Sequence, residues 1–202
     1  MNLSTYVDEY LVDAAKIIHG LDKQAIIKAI EILITLKKKG GRLFFLGVGG
    51  GAGNASHAVN DFRKIVGIES YSPSDNVSEL TARINDDGWD SSYARWLEVS
   101  KLGENDVVLV FSVGGGDVGK KISNNLVESL KLAKKRRSKI IGVVGRDGGY
   151  TAEVADAVVL VPIVSPHSIT PHTESFQAVV WHLFVSHPAL LENQMKWEST
   201  GR

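Results

Sequence analysis

The sequence predicts an α/β fold, a three-layer sandwich around a five-stranded parallel sheet with helices added at the N-terminus. Three observations carry that reading. Apolar runs of strand length stand at residues 42–47, 106–112, 139–145 and 157–162, and the helical segments between them are long enough for parallel crossovers. Glycine clusters at 47–53 and 112–119 each follow a strand and precede a helix, which puts both loops at the edge of the sheet where open α/β folds bind ligands. The first 40 residues hold helical patterns alone.

Taken in order, residues 3–18 and 22–38 have helical periodicity, and Gly40 and Gly41 end the second helix. Ile26, Ile27, Ile30, Ile32, Leu33 and Leu36 give that helix a broad apolar face, which suits the chain's own sheet or a neighbouring subunit. The run at 42–47 breaks into the first glycine loop and resumes as a helix carrying His57 and Asp61. A weaker strand falls at 67–72, and NVSELTARIND forms a short helix beginning after Asp75. With 202 residues the chain has enough length for one substantial core, so residues 1–202 read as a single domain whose first 40 form a helical extension and oligomerisation element.

Composition narrows the function. The 23 basic and 23 acidic side chains balance, which argues against a nucleic-acid footprint or an anionic membrane anchor. The basic stretch KKRRSK at 134–139 reads as a solvated helix end and turn. With no cysteine there is no disulfide, thiolate ligand or cysteine nucleophile. Asp8, Glu9 and Asp13 interrupt the first twenty residues without a basic n-region, and no segment approaches membrane-spanning length. A cytoplasmic protein, with neither nucleic acid nor membrane as partner, is expected.

The first loop places Gly49, Gly50 and Gly51 before a helix N-terminus, an arrangement that lets an anion such as a sugar phosphate approach backbone amides. It lacks the Lys-Ser or Lys-Thr of a nucleotide P-loop and is not a clean dinucleotide fingerprint. In the second loop Ser112, Gly114, Gly115 and Asp117 line the corresponding turn, where the Asp117 charge opposes phosphate unless turned away or paired. Asn54 and Asp86 read as contacts to sugar hydroxyls or as caps. Thr81 suits a site position or a structural hydroxyl, Arg83 a phosphate contact or a surface ion pair, and Arg146 and Asp147 form a further post-strand turn in which Asp147 suits a pocket hydrogen bond or the turn itself. His167 and His172 flank Pro171 in what reads as an exposed loop, and Trp89, Trp96 and Trp181 read as packing residues. Taken by themselves, His57 and His182 suit metal ligation or a hydrogen-bonded place at the core edge.

Four segments resemble the sugar isomerase (SIS) domain and, more closely, the phosphoheptose isomerase family: GVGGGAGNASH at 47–57, ELTARIND at 79–86, GRDGGYTAEVAD at 145–156 and TESFQAVVWH at 173–182. With the order of elements, the resemblance runs from the N-terminal helices to about residue 191. It implies a flavodoxin-like strand order and a metal held by His57, Asp61, Glu174 and His182, with Asp61 as catalytic base and His182 as its partner acid and base. Asp61 stands where the family usually has glutamate, and Glu174 where it usually has glutamine. His57 and Asp61 lie one helical turn apart, and Glu174 and His182 about 80 degrees apart around their helix, which favours convergence. Four such N and O ligands suit a divalent ion, zinc foremost.

The second loop departs from the family's serine-rich pattern, and Gly51 replaces a common serine. The resemblance implies metal-assisted aldose–ketose isomerisation of a phosphorylated sugar, most similar to sedoheptulose 7-phosphate isomerase, in a homotetramer whose neighbouring subunits complete the sites. The alternative is a noncatalytic sugar-phosphate-binding or protein-interaction module.

Overall fold

A computed structural model describes residues 2–200. Strands β1 (Leu43–Gly47), β2 (Ser70–Tyr71), β3 (Val107–Ser112), β4 (Lys139–Val144) and β5 (Ala157–Leu160) form one parallel sheet in the order β2-β1-β3-β4-β5. This is the flavodoxin-like order, with its switch point between β1 and β3. The pairing of Gly47 with Phe111 puts both glycine loops side by side at the carboxyl edge.

The strands read as unbroken apolar runs because both faces of the sheet are covered. Alternate side chains go to opposite cores. On one face Leu43, Phe45, Leu109, Phe111, Ile141 and Val143 pack with side chains of α2 (Lys23–Lys39), α3 (Gly50–Asp61) and α8 (Ile169–Ser186). On the other, Phe44, Leu46, Val108, Val110 and Ile140 meet Tyr93 and Leu97 of α5 (Trp89–Val99) and Leu126 and Leu130 of α6 (Asn124–Lys135). The remaining helices are α1 (Leu3–Gly20), α4 (Val77–Asp87), α7 (Gly149–Val154) and α9 (Lys196–Ser199). Helix α1 touches this body through Ile17, which packs with Val161 and Phe176.

Local chemistry fixes the ends. The Asp22 carboxylate accepts from the Gln24 amide at 2.8 Å and from the Ala25 amide, starting α2. Helix α6 stops at Lys135, and Arg137 beyond it pairs with Glu104 at 3.2 Å, so the basic stretch is the solvated helix end expected.

Two expectations need correction. The weak strand at 67–72 shrinks to Ser70–Tyr71, because α3 runs on into a π-helical turn at Phe62–Val66. Pro171 lies inside the first turn of α8, where its missing N–H would have lacked a helical partner anyway, and His172 is buried there and stacked on Tyr10 at 4.2 Å instead of lying in an exposed loop.

Tyr93 ties the α5 layer to the first loop, its buried hydroxyl donating to the Gly47 carbonyl at 2.8 Å. Burial pushes this hydroxyl up to about 12. Because the folded value is raised, the stability it contributes is complete below the usual tyrosine range and is lost as pH rises through about 12. Tyr93→Phe is expected to cost about 1 kcal/mol in a urea melt. By ultraviolet absorbance the parent should show one late-titrating tyrosine and the variant should lack it.

Candidate functional site

Two features meet on α3 and α8. The first is a cleft of about 630 Å³ at the switch point. Gly51, the loop from Ser112 to Ser123, the turn Arg146 to Tyr150, Glu174 and Gln177 line it. The second is a cluster of His57, Asp61 and His182, with one donor atom from each lying within 4.8 Å of the others.

The cluster arises because His57 and Asp61 share a face of α3 and that face meets α8. Asp61 is buried, whereas the His57 and His182 side chains are 56% and 48% exposed. Asp61 Oδ2 stands 3.6 Å from His57 Nε2 and 3.4 Å from His182 Nε2. Those gaps are long for hydrogen bonds, but two donors bound tetrahedrally to one zinc-sized ion stand about 3.4 Å apart. The three side chains therefore fit a divalent ion. His182 Nδ1 lies 2.8 Å from the Ala178 carbonyl, which can only accept, so the ring proton sits on Nδ1 and leaves the Nε2 lone pair facing Asp61. Asp61 also accepts from Asn60 Nδ2 at 3.0 Å and from the Trp181 indole at 3.1 Å.

Glu174 is outside this cluster. Eight residues separate it from His182, and a helix rises about 1.5 Å per residue, so the two are about 12 Å apart along α8 however close their angles. The three clustered donors do not include Glu174, and the four-ligand set implied by the resemblance would need its side chain to swing along α8 toward His182. Glu174 instead stands over the first loop, where a methyl on Gly50 would overlap its carboxylate. A charged side chain of the protein thus faces the N-terminus of α3.

Of the other expected contacts, Gly51, Ser112, Gly114 and Asp117 line the cleft. Asp117 is paired: its carboxylate accepts from the Lys120 amide at 2.9 Å and lies 3.4 Å from the Lys120 ammonium. The backbone hydrogen bond from Lys120, with the ammonium charge adding to it, holds this carboxyl below its usual range. Gly115 serves packing, since its carbonyl accepts from the Thr151 amide at 2.9 Å and from the Thr151 hydroxyl at 2.7 Å. Gly49 precedes α3 with positive φ.

Asn54 is a tie between helices, donating to the Glu174 carbonyl at 2.9 Å and to Gln177 Oε1 at 2.8 Å. Asp86 is exposed on α4, bonded to Asn85, and is not among the cleft residues. Thr81 bonds back to the Val77 carbonyl, and Arg83 pairs with Glu79 at 2.6 Å, the structural roles allowed for them.

Sequence reasoning missed Lys120, Gln177 and the reach of Trp181. Arg146 was read as fold alone, yet it lines the cleft, has no salt-bridge partner among the described residues and adopts φ 53°. The signal for Trp181 was its place beside His182; no periodicity marked its indole as facing Asp61.

Comparison with known proteins agrees with this layout. The SIS domain model matches residues 9–145. The chain is 30% identical over 192 residues to the lincomycin biosynthesis protein LmbN of Streptomyces lincolnensis, a match covering 90% of this chain and 68% of that one. It is also 30% identical over 175 residues to phosphoheptose isomerase of Syntrophotalea carbinolica, covering 83% and 81%. The chain belongs to the SIS domain family, in its phosphoheptose isomerase group. The structure of phosphoheptose isomerase GmhA from Neisseria gonorrhoeae shares the fold, with a TM-score of 0.79 at 22% identity over 91% of this chain and 97% of that one.

Proposed function

We propose that the chain is a metal-assisted aldose–ketose isomerase of a phosphorylated sugar, most similar in activity to a sedoheptulose 7-phosphate isomerase. The His57–Asp61–His182 cluster carries the reading. Three protein donors leave a coordination position open, the pattern of catalytic zinc, and zinc is the ion we assign. His57 lies about 9 Å beyond Gly51 along α3. An extended seven-carbon sugar phosphate covers that span, with its phosphate in the cleft near Arg146 and Ser112 and its carbonyl end at the cluster. Amides of the first loop, from Gly49 to Gly51, and the Gly114 backbone complete the substrate contacts.

Isomerisation moves one proton between adjacent carbons and one between their oxygens, through an enediolate. A divalent ion held by His57, Asp61 and His182 would supply Lewis-acid polarisation of the substrate carbonyl. Asp61 takes the carbon-bound proton and returns it to the neighbouring carbon. His182, with Nδ1 anchored on Ala178, presents its one lone pair at Nε2 to the metal, so the proton exchanged between the two oxygens travels through solvent. Leu3, Tyr6, Val7 and Leu11 leave an exposed apolar stripe on α1, and both histidines are half open; a homotetramer in which neighbours cover these surfaces accounts for both. No helix among the described residues is long and apolar enough to cross a membrane.

The assay is a panel of aldose and ketose phosphates with zinc-loaded protein. Interconversion of a heptose phosphate should disappear on chelation and return with zinc. No turnover across the panel, with metal content verified, would sink the enzyme reading. A second reading, a noncatalytic sugar-phosphate module, draws on the carboxylates of Asp117, Asp147, Glu153 and Glu174 around the cleft. Calorimetric binding of a sugar phosphate without turnover would favour it.

A further inference from the structure

The Asp61 carboxylate has a soft torsion about its last bond, so it needs fixed donors to hold one oxygen between two imidazoles. Oδ2 is the oxygen that faces both histidines, and it is also the one that accepts the Trp181 indole N–H, at 3.1 Å. A carboxylate oxygen offers two lone-pair directions. The indole takes one and leaves the other to the space between His57 and His182. Trp181 is itself immobile, 1% exposed and packed on Phe111 with ring centroids 5.5 Å apart. Its ring also backs both ligands, lying 5.3 Å from the His57 ring and 4.9 Å from the His182 ring. On the far side, Asn60 Nδ2 holds Oδ1 at 3.0 Å.

We propose that Trp181 is a positioning residue for the metal centre, acting through Asp61 by holding the shorter carboxylate's Oδ2 toward the two histidines. The inference rests on the metal reading above. It differs from a packing role, in which the buried indole merely satisfies its own N–H on a convenient acceptor. Removing a hydrogen bond that orients a metal ligand lowers metal affinity by about 10- to 100-fold. Loss of packing alone lowers stability without acting through Asp61.

The test measures zinc affinity of the full-length protein by competition with a chromogenic chelator, with the fold checked by circular dichroism and thermal melting. Trp181→Phe removes the N–H but also shrinks the ring. Site-specific replacement of Trp181 by benzothienylalanine keeps the bicyclic shape, lacks the N–H, and answers the question if the phenylalanine variant fails to fold. Both should bind zinc about 10- to 100-fold more weakly. Placed on an Asp61→Ala background, where binding is already weakened, neither change should weaken it further. Zinc affinity equal to the parent's in the benzothienylalanine protein would overturn the proposal, as would an equal loss with and without Asp61. A parent that binds no zinc removes the metal reading itself and this inference with it.

Discussion

Asp61→Asn is expected to fold like the parent and to isomerise about 100- to 10,000-fold more slowly, the usual range for losing a positioned acid–base group. That factor corresponds to about 3–5 kcal/mol of barrier. The fold should survive because the amide keeps the shape of the carboxylate and an oxygen that can accept from Trp181 or Asn60. Two losses combine in the variant: the base, and the one anionic donor of the cluster. Rates at saturating zinc, with metal content measured on the same samples, separate them. His57→Asn provides the contrast, since the proposed function gives His57 a metal role and no proton to move; its rate should recover far more with added zinc. Equal recovery by both variants would remove the base assignment from Asp61.

The second large effect belongs to Gly115→Ala. Gly115 has φ 69°, and a methyl there would overlap the Gly148 carbonyl oxygen, a backbone atom with no side-chain freedom to retreat. Strain at a left-handed position and overpacking each cost about 1–3 kcal/mol. A total of about 3 kcal/mol lowers Tm by roughly 6–12 °C in a chain of this length. The displaced loop also carries Ser112, Gly114 and Asp117 of the cleft, so KM for the sugar phosphate should rise while zinc affinity stays at the parent value. Gly114→Ala is the control. A methyl at Gly114 meets only the Arg146 side chain at 3.9 Å, and stability should stay within about 0.5 kcal/mol of the parent. A melting temperature unchanged in Gly115→Ala would contradict the packing described between the second and third loops.

The sheet was legible because parallel strands buried on both faces leave continuous apolar runs, and glycine marks where they end. The pairing of His57 with Asp61 was legible too, because a four-residue spacing acts within one helix. Glu174 and His182 show where such reasoning stops. Their angular separation suggested convergence, but the axial rise keeps Glu174 with the first loop and out of the cluster. Trp181 and Asn54 escaped for a related reason: each acts across the contact between α3 and α8, and no local pattern reports which side chains meet there. Proline misled in the opposite direction, since Pro171 marks the first turn of a helix as well as it marks a loop. The second glycine cluster was read as lining the ligand turn, and no local pattern showed that Gly115 and Gly116 also give their carbonyls to the Thr151 and Tyr150 amides at the start of α7.

The central claim is that proton transfer at the His57–Asp61–His182 centre isomerises a phosphorylated sugar. The most direct measurement is turnover of sedoheptulose 7-phosphate by zinc-loaded protein in deuterated water, followed by proton and deuterium NMR. The proton that Asp61 removes returns through the same carboxylate, and exchange with solvent in between marks it with deuterium. The aldose product should therefore carry deuterium at the carbon that receives the proton, and Asp61→Asn should abolish both product and label. Product formed by Asp61→Asn at the parent's rate, labelled or not, would contradict the account.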